Sequence, residues 1–281
     1  MRAGAGVLLH APARRAQGAL APAGRRDGRG LNHVWLFLAG IAASVFNAAA
    51  GGGTLISFPA LLAVGLAPLQ ANATSSVALQ AGLITALWSY RDRLREMRGD
   101  VGRLLPPCVT GGAFGAVLAL ALGARVFAAI APALLAIGAL LILLQPLITR
   151  VIAVRQAQER PTVFFIGAFV LAVYCGYFGA GGGILFLAAL ALLLPRPFDE
   201  LNALKVLALP ASNGIAAVTF VVLELSHPTG VVVWRSVPML ALGALIGGAL
   251  GVSLAKRLPA RALRIISGAL GLAMAAWIVL K

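Results

Sequence analysis

The sequence predicts an all-α, polytopic membrane protein: about eight transmembrane helices in two homologous repeats, with helices broken at glycine-rich motifs. Three observations lead there. Hydrophobic residues fill 60% of the 281 positions and charged residues 11%, with a mean hydropathy of +0.96; a soluble domain carries about 25% charged residues. Apolar segments of roughly the 20 residues that cross a bilayer follow one another with short polar breaks. A glycine triplet occurs twice, as Gly51-Gly52-Gly53 and Gly181-Gly182-Gly183, and each copy is followed at the same distance by Asn-Ala, at Asn72-Ala73 and Asn202-Ala203.

Taken in order, residues 1–32 are rich in Ala, Gly and Arg and read as a disordered basic tail, with no convincing secretory signal. The first repeat, 33–149, opens with an apolar run from His33 to Leu66, followed by Ala71 to Tyr90. An Arg-rich loop is expected over Arg91 to Arg103, then segments Leu104–Leu122 and Val126–Ile148, parted by Gly123-Ala124-Arg125. A polar linker at 150–161 separates the second repeat, 162–281, with segments Thr162–Leu194, Leu201–Leu223, Val231–Leu254 and Ala262–Leu280. The two triplet-bearing runs are 34 and 33 residues long. At 1.5 Å per residue a straight helix of that length reaches roughly 50 Å, against about 30 Å of hydrocarbon. Each must bend back, unwind, or split into a span plus a half-helix, and triple glycine is where a helix gives way.

The repeat goes beyond the triplets. At an offset of 130, Leu55 meets Leu185, and at 132 Arg125 meets Arg257. With eight straight crossings, Lys and Arg number 16 on the side of the N-terminus and 7 on the other, which places both termini in the cytoplasm. The loop bias nevertheless reverses between the halves, 5 to 1 in the first and 1 to 6 in the second. Reversal is what oppositely inserted repeats produce, and it needs an odd number of crossings per half.

A duplicated helix break within apolar runs points to a transporter binding site. A helix restarting near Thr54 would turn its N–H groups and positive dipole end toward the break, and an anion is their natural partner. Candidate substrate-binding residues are therefore Gly51, Gly52, Gly53 and Thr54, then Asn72, Thr74 and Ser75. Their second-half counterparts are Gly181, Gly182 and Gly183, then Asn202, Lys205 and Asn213. Ser57 and Gln80 add polar groups nearby. Competing structural roles exist for each: close helix packing for the glycines, helix capping for Asn72 and Asn202, and snorkelling for Lys205.

Several function classes drop out. The net charge of +15 is scattered between apolar runs, without the basic helix or interleaved aromatics of a nucleic-acid binder. No nucleotide-binding loop, HExxH or Ser–His–Asp set occurs, so neither a catalytic residue, a metal nor a cofactor is implied. Cys108 and Cys175 have no metal spacing and read as small packing residues. The acids Asp92, Glu96, Asp100, Glu159, Asp199, Glu200 and Glu224 fall at boundaries or loops, which leaves no mid-span carboxylate for a proton relay. The expected partners are a small anionic substrate and the lipid bilayer, with a homo-oligomer left open. The competing readings are a membrane enzyme or assembly factor with a lipid or quinone substrate, and a passive anion channel.

The stretches Gly51-Gly-Gly-Thr-Leu-Ile-Ser-Phe-Pro59 with Gly65, Ala71-Asn-Ala-Thr74-Ser75, Gly176-Tyr-Phe-Gly179-Ala-Gly181-Gly-Gly183, Asn202-Ala-Leu-Lys205 and Asn213 resemble the TauE/SafE family of sulfite and organosulfur-anion exporters. The resemblance covers about 33–281. It implies a multi-span bacterial inner-membrane protein of two repeats that moves sulfite, sulfoacetate or related anions outward. It also implies that the glycine motifs and adjoining Asn, Thr, Ser and Lys residues line the path. One departure is Ala189, which stands where the first half has Pro59.

Overall fold

A computed structural model describes residues 29–153, 160–257 and 260–280. Ten α-helices are present among them. The order is α1 (Arg29–Ala50), α2 (Thr54–Ala63), α3 (Pro68–Ser89), α4 (Arg91–Glu96), α5 (Arg98–Ala153), α6 (Pro161–Tyr177), α7 (Gly182–Leu193), α8 (Phe198–Ser226), α9 (Val237–Arg257) and α10 (Ala260–Leu280). A 3₁₀ turn at Trp234–Ser236 leads into α9. The stretches Arg98–Val151, Phe198–Ser226 and Trp234–Gly251 are long and apolar enough to cross a membrane. The chain is a multi-pass membrane protein.

Both long apolar runs break at their glycine motifs. Between α1 and α2, Gly51 sits at φ 74°, and between α6 and α7, Gly179 and Gly181 sit at φ 80° and 71°. Side chains other than glycine rarely adopt that region. α5 breaks a third time at Gly123 (φ 77°, ψ 169°), between its two apolar arms, where Gly123-Ala124-Arg125 led the sequence to expect a boundary.

Two expectations need correction. The Arg91–Arg103 segment is helical, forming α4 and the opening of α5, and is not a loop. Ion pairs one turn apart, Arg93–Glu96 at 3.4 Å and Arg95–Asp92 at 3.5 Å, accompany residues that favour helix. The helix α1 begins at Arg29, inside the stretch read as a tail; residues 1–28 lie outside the described residues, as do 154–159 of the linker.

Helix directions follow from specific contacts. Gln70 Nε2 donates to the Gly230 carbonyl at 2.8 Å, and the Val233 amide donates to Thr74 Oγ1 at 3.0 Å. Further along, Gly82 and Thr85 lie against Gly248. So α3 runs parallel to α9. Gly40 abuts Leu240 and Gly251 abuts Val45, so α1 runs parallel to α9 as well. Because α1 and α3 point the same way, α2 must carry the chain back, and Trp35 Nε1 bonds the Ala60 carbonyl at 3.3 Å across that hairpin. With ten residues, α2 rises about 15 Å, half the hydrocarbon thickness.

The α6–α7 pair repeats the design from the opposite end. Gly111 packs on Phe169 and Gly115 on Val173 and Tyr177, so α6 runs parallel to the first arm of α5. α8 runs antiparallel to α3: Asn202 Nδ2 donates to the Tyr90 hydroxyl at 2.9 Å, and Gln80 lies beside Gly214. Small residues let these backbones touch, as membrane helices require where lipid supplies no hydrophobic drive to pair them.

Candidate functional site

The two breaks cross each other. The Gly183 amide donates to the Gly51 carbonyl at 3.0 Å. A methyl group built on Gly51 would stand 2.5 Å from the Gly183 Cα, so only glycine fits at the crossing. Here the sequence-based expectation of open amides needs correction. At the α2 start, the Gly53 amide bonds Asn47 Oδ1 at 3.3 Å, and those of Leu55 and Ile56 bond the Gly52 and Gly53 carbonyls, both at 3.0 Å. At the α7 start, Gly182 donates to the Gly179 carbonyl at 3.2 Å and Ile184 to Gly181 at 3.0 Å. The Tyr174 hydroxyl donates to the Ala180 carbonyl and closes that turn. Backbone polar groups deep in a membrane must be paired, and here protein groups pair most of those at the breaks.

Side chains beside the crossing stay polar. Asn47 and Thr54 from the first hairpin, Ser75, Ser76 and Gln80 from α3, and Asn213 from α8 line a cavity of about 20 Å³, closed off by Leu79, Leu83, Leu209 and Gly179. That volume holds about one water molecule. Ser57 and Ser75 share a hydrogen bond of 2.6 Å, and Ser57 Oγ also donates to the Gly53 carbonyl at 3.3 Å, which ties α3 to the break. Asn213 Nδ2 donates back to the Leu209 carbonyl at 3.1 Å.

The candidates named from sequence thus separate into groups. Thr54, Ser75 and Asn213 line the cavity. Gly51, Gly52, Gly53, Gly181, Gly182 and Gly183 build the crossing beside it. Three are engaged elsewhere. Asn72 Nδ2 donates to the Tyr177 carbonyl at 2.9 Å, leaving its buried Oδ1 without a partner among the described residues. Thr74 receives the Val233 amide, and Asn202 bonds Tyr90. Lys205 lies one turn before Leu209 and two before Asn213, on the same face of α8. It is 2% exposed and makes no hydrogen bond or ion pair among the described residues. Ser76 belongs to the polar cluster that the sequence shows after Asn72, and Gly179 to the glycine motif quoted for the resemblance; Asn47 was not among the candidates. The signal for Asn47 was its place one turn before the first triplet, and for Gly179 its place two residues before the second.

Helices broken in pairs around a buried polar cavity are the build of a membrane transporter. The family model for the sulfite exporter TauE/SafE matches residues 36–278, and the chain belongs to that family. It is 29% identical over 228 residues to a probable membrane transporter protein of Haemophilus influenzae, covering 78% of this chain and 83% of the relative. It is also 27% identical over 216 residues to the probable membrane transporter protein YfcA of Escherichia coli K12, covering 77% and 78%. A probable membrane transporter protein of a Sinorhizobium species is 28% identical over 222 residues, covering 78% and 81%. No solved structure matches the chain. It is a transporter-family protein and not an enzyme.

Proposed function

We propose that the chain is a secondary transporter that exports small sulfur-containing anions, sulfite or a sulfonate, across the bacterial inner membrane. One observation carries this reading: hydroxyl and amide groups, without a carboxylate, line the cavity at the crossed breaks, and one turn away stands a buried lysine with no partner among the described residues. A cation isolated in the membrane interior is costly and calls for an anionic partner. Lys205 supplies the charge that neutralises the substrate, while Thr54, Ser75 and Asn213 donate to its oxygens. A cavity of about 20 Å³ is too small for sulfite, so it must open to admit one. Export down the membrane potential gains about 2.3 kcal/mol per charge per 100 mV.

The two halves act as inverted repeats that rock about the crossing. Gly82 packs on Ala244 and Gly112 on Ser212. Offsets of 130 and 132 convert the first contact into the second with the halves exchanged. The antiparallel course of α3 and α8, which occupy corresponding places, supports a two-fold axis in the membrane plane. Both hairpins return to the side they came from, so the polar segments regroup. Among the described residues, those of Arg91–Arg103 with Arg150, Arg160, Arg196, Lys256, Arg257, Arg261 and Arg264 share one side, which makes 12 basic residues. Arg125 and Arg235 lie on the other. The rule that cytoplasmic loops are positive makes the first side cytoplasmic, and residues 29 and 280 then face the periplasm.

Proteoliposomes holding the purified protein and preloaded with labelled sulfite, sulfoacetate or taurine test the function. At least one of the three should exchange with external unlabelled anion, and Lys205→Met should lose that exchange while eluting as a folded species in detergent. Efflux without exchange would mean a channel. Wild-type exchange in Lys205→Met would remove the lysine from the site.

A further inference from the structure

The cavity at the crossed breaks presents its amides in a fixed sense. Asn47, Gln80 and Asn213 all line it. Each is held by a backbone group that accepts only one end of an amide. The Gly53 N–H reaches Asn47 Oδ1 at 3.3 Å, which leaves Asn47 Nδ2 for the cavity. Gln80 Nε2 donates to the Ser76 carbonyl at 3.3 Å, and Asn213 Nδ2 to the Leu209 carbonyl at 3.1 Å. These two amides keep an oxygen each, Gln80 Oε1 and Asn213 Oδ1, that receives no hydrogen bond among the described residues. Asn213 Oδ1 faces the second break, since a methyl group built on Gly179 would stand 3.0 Å from it.

The charge is equally selective. Lys205 is buried one turn before Leu209, whose side chain closes the cavity, and neither a carboxylate nor a second cation lines the cavity among the described residues. One positive charge matches one negative charge. A dianion would keep a net charge in the membrane interior and would face two acceptor oxygens that repel it. A monoanion made only of acceptors would leave those oxygens unpaired once it displaced the water that can donate to them. A buried acceptor left unpaired costs more than its bond is worth, and a site built around such a bond rejects analogues that lack it.

We infer that the site selects a monoanion carrying its own hydrogen-bond donor, a hydroxysulfonate or hydrogensulfite, over dianions and over anions without a donor. Lys205 and Asn47 Nδ2 meet the anionic oxygens, while Gln80 Oε1 and Asn213 Oδ1 take the donor. The inference rests on the reading of this cavity as the transport site.

The test challenges proteoliposomes that exchange labelled sulfite with unlabelled competitors. Isethionate and ethanesulfonate share charge and carbon chain and differ by one hydroxyl. Isethionate should compete at about tenfold lower concentration than ethanesulfonate. Sulfoacetate, a dianion, should also compete less well than isethionate. Gln80→Met and, separately, Asn213→Leu each remove one acceptor and should narrow the gap between the first two by strengthening ethanesulfonate. The wild-type ratios decide the matter where a variant loses exchange. Ethanesulfonate or sulfoacetate competing as well as isethionate would overturn the inference and leave the transport reading standing. So would an unchanged gap in both variants, which would put donor recognition elsewhere. Absence of any sulfite exchange would instead remove the transport reading, and the inference with it.

Discussion

Gly51 and Gly52 are neighbours in one triplet, yet they face different constraints. At Gly51, a methyl group meets the Gly183 backbone at 2.5 Å, and φ is already 74°. Backbone cannot yield there. At Gly52, the obstacle is Ile142 Cδ1 at 2.3 Å, the far end of a side chain that can rotate. Gly51→Ala should therefore cost about 1–3 kcal/mol, and Gly52→Ala clearly less. Thermal unfolding of both variants in detergent checks this, and equal losses would mean that the crossing is not the tight point. Lys205 shows a limit of the same residue scale. Its sequence context, near a span start, favours snorkelling to the interface; its burial, with no partner among the described residues, is visible only once α8 is packed.

At the scale of elements, α5 and α7 are clasped where they leave the membrane. Asp100 on α5 is buried, and Arg196, just past α7, reaches it at 3.1 Å and Glu200 at 4.0 Å. Removing Arg196 leaves a buried carboxylate alone, whereas Asp100→Asn removes the charge together with its need. Arg196→Gln should lower the unfolding temperature more than Asp100→Asn does, and the reverse order would show that the clasp is incidental. The breaks themselves were legible as elements, because 33 and 34 apolar residues cannot cross straight. The Arg91–Arg103 segment was not. Its charge suggested a loop, but α4 is a short helix with charges exposed all round, whose polarity reports position at the membrane surface and not irregular backbone.

For the whole molecule, the consequence of the hairpins is sidedness. Eight straight crossings put Arg91–Arg103 and Lys256–Arg264 on opposite sides; two returning hairpins put them on the same side. Single cysteines at positions 93 and 261 should both react from the cytoplasm, and one at 235 only from the periplasm. The native Cys108 and Cys175 are buried and free, so they should stay silent. Labelling of positions 93 and 261 from opposite faces would restore the straight-crossing topology. Tryptophans agree with the hairpin arrangement: Trp35 and Trp234 mark one end, while exposed Trp88, with Arg91 stacked 5.0 Å over its ring, marks the other.

The sequence by itself determined the class, the apolar segments, the places of breakage and the family, because hydropathy, segment length and glycine spacing are local quantities set by bilayer thickness and backbone sterics. Its reversing arginine bias is what the proposed inverted arrangement of the halves would produce. Only the tertiary structure decided that α2 and α7 turn back, that Gly51 and Gly183 meet, and that protein groups satisfy most of the amides at the breaks. Those are matters of which surfaces approach each other. Residues 132 apart come into contact here through helix packing, and no local pattern encodes which carbonyl will accept which amide.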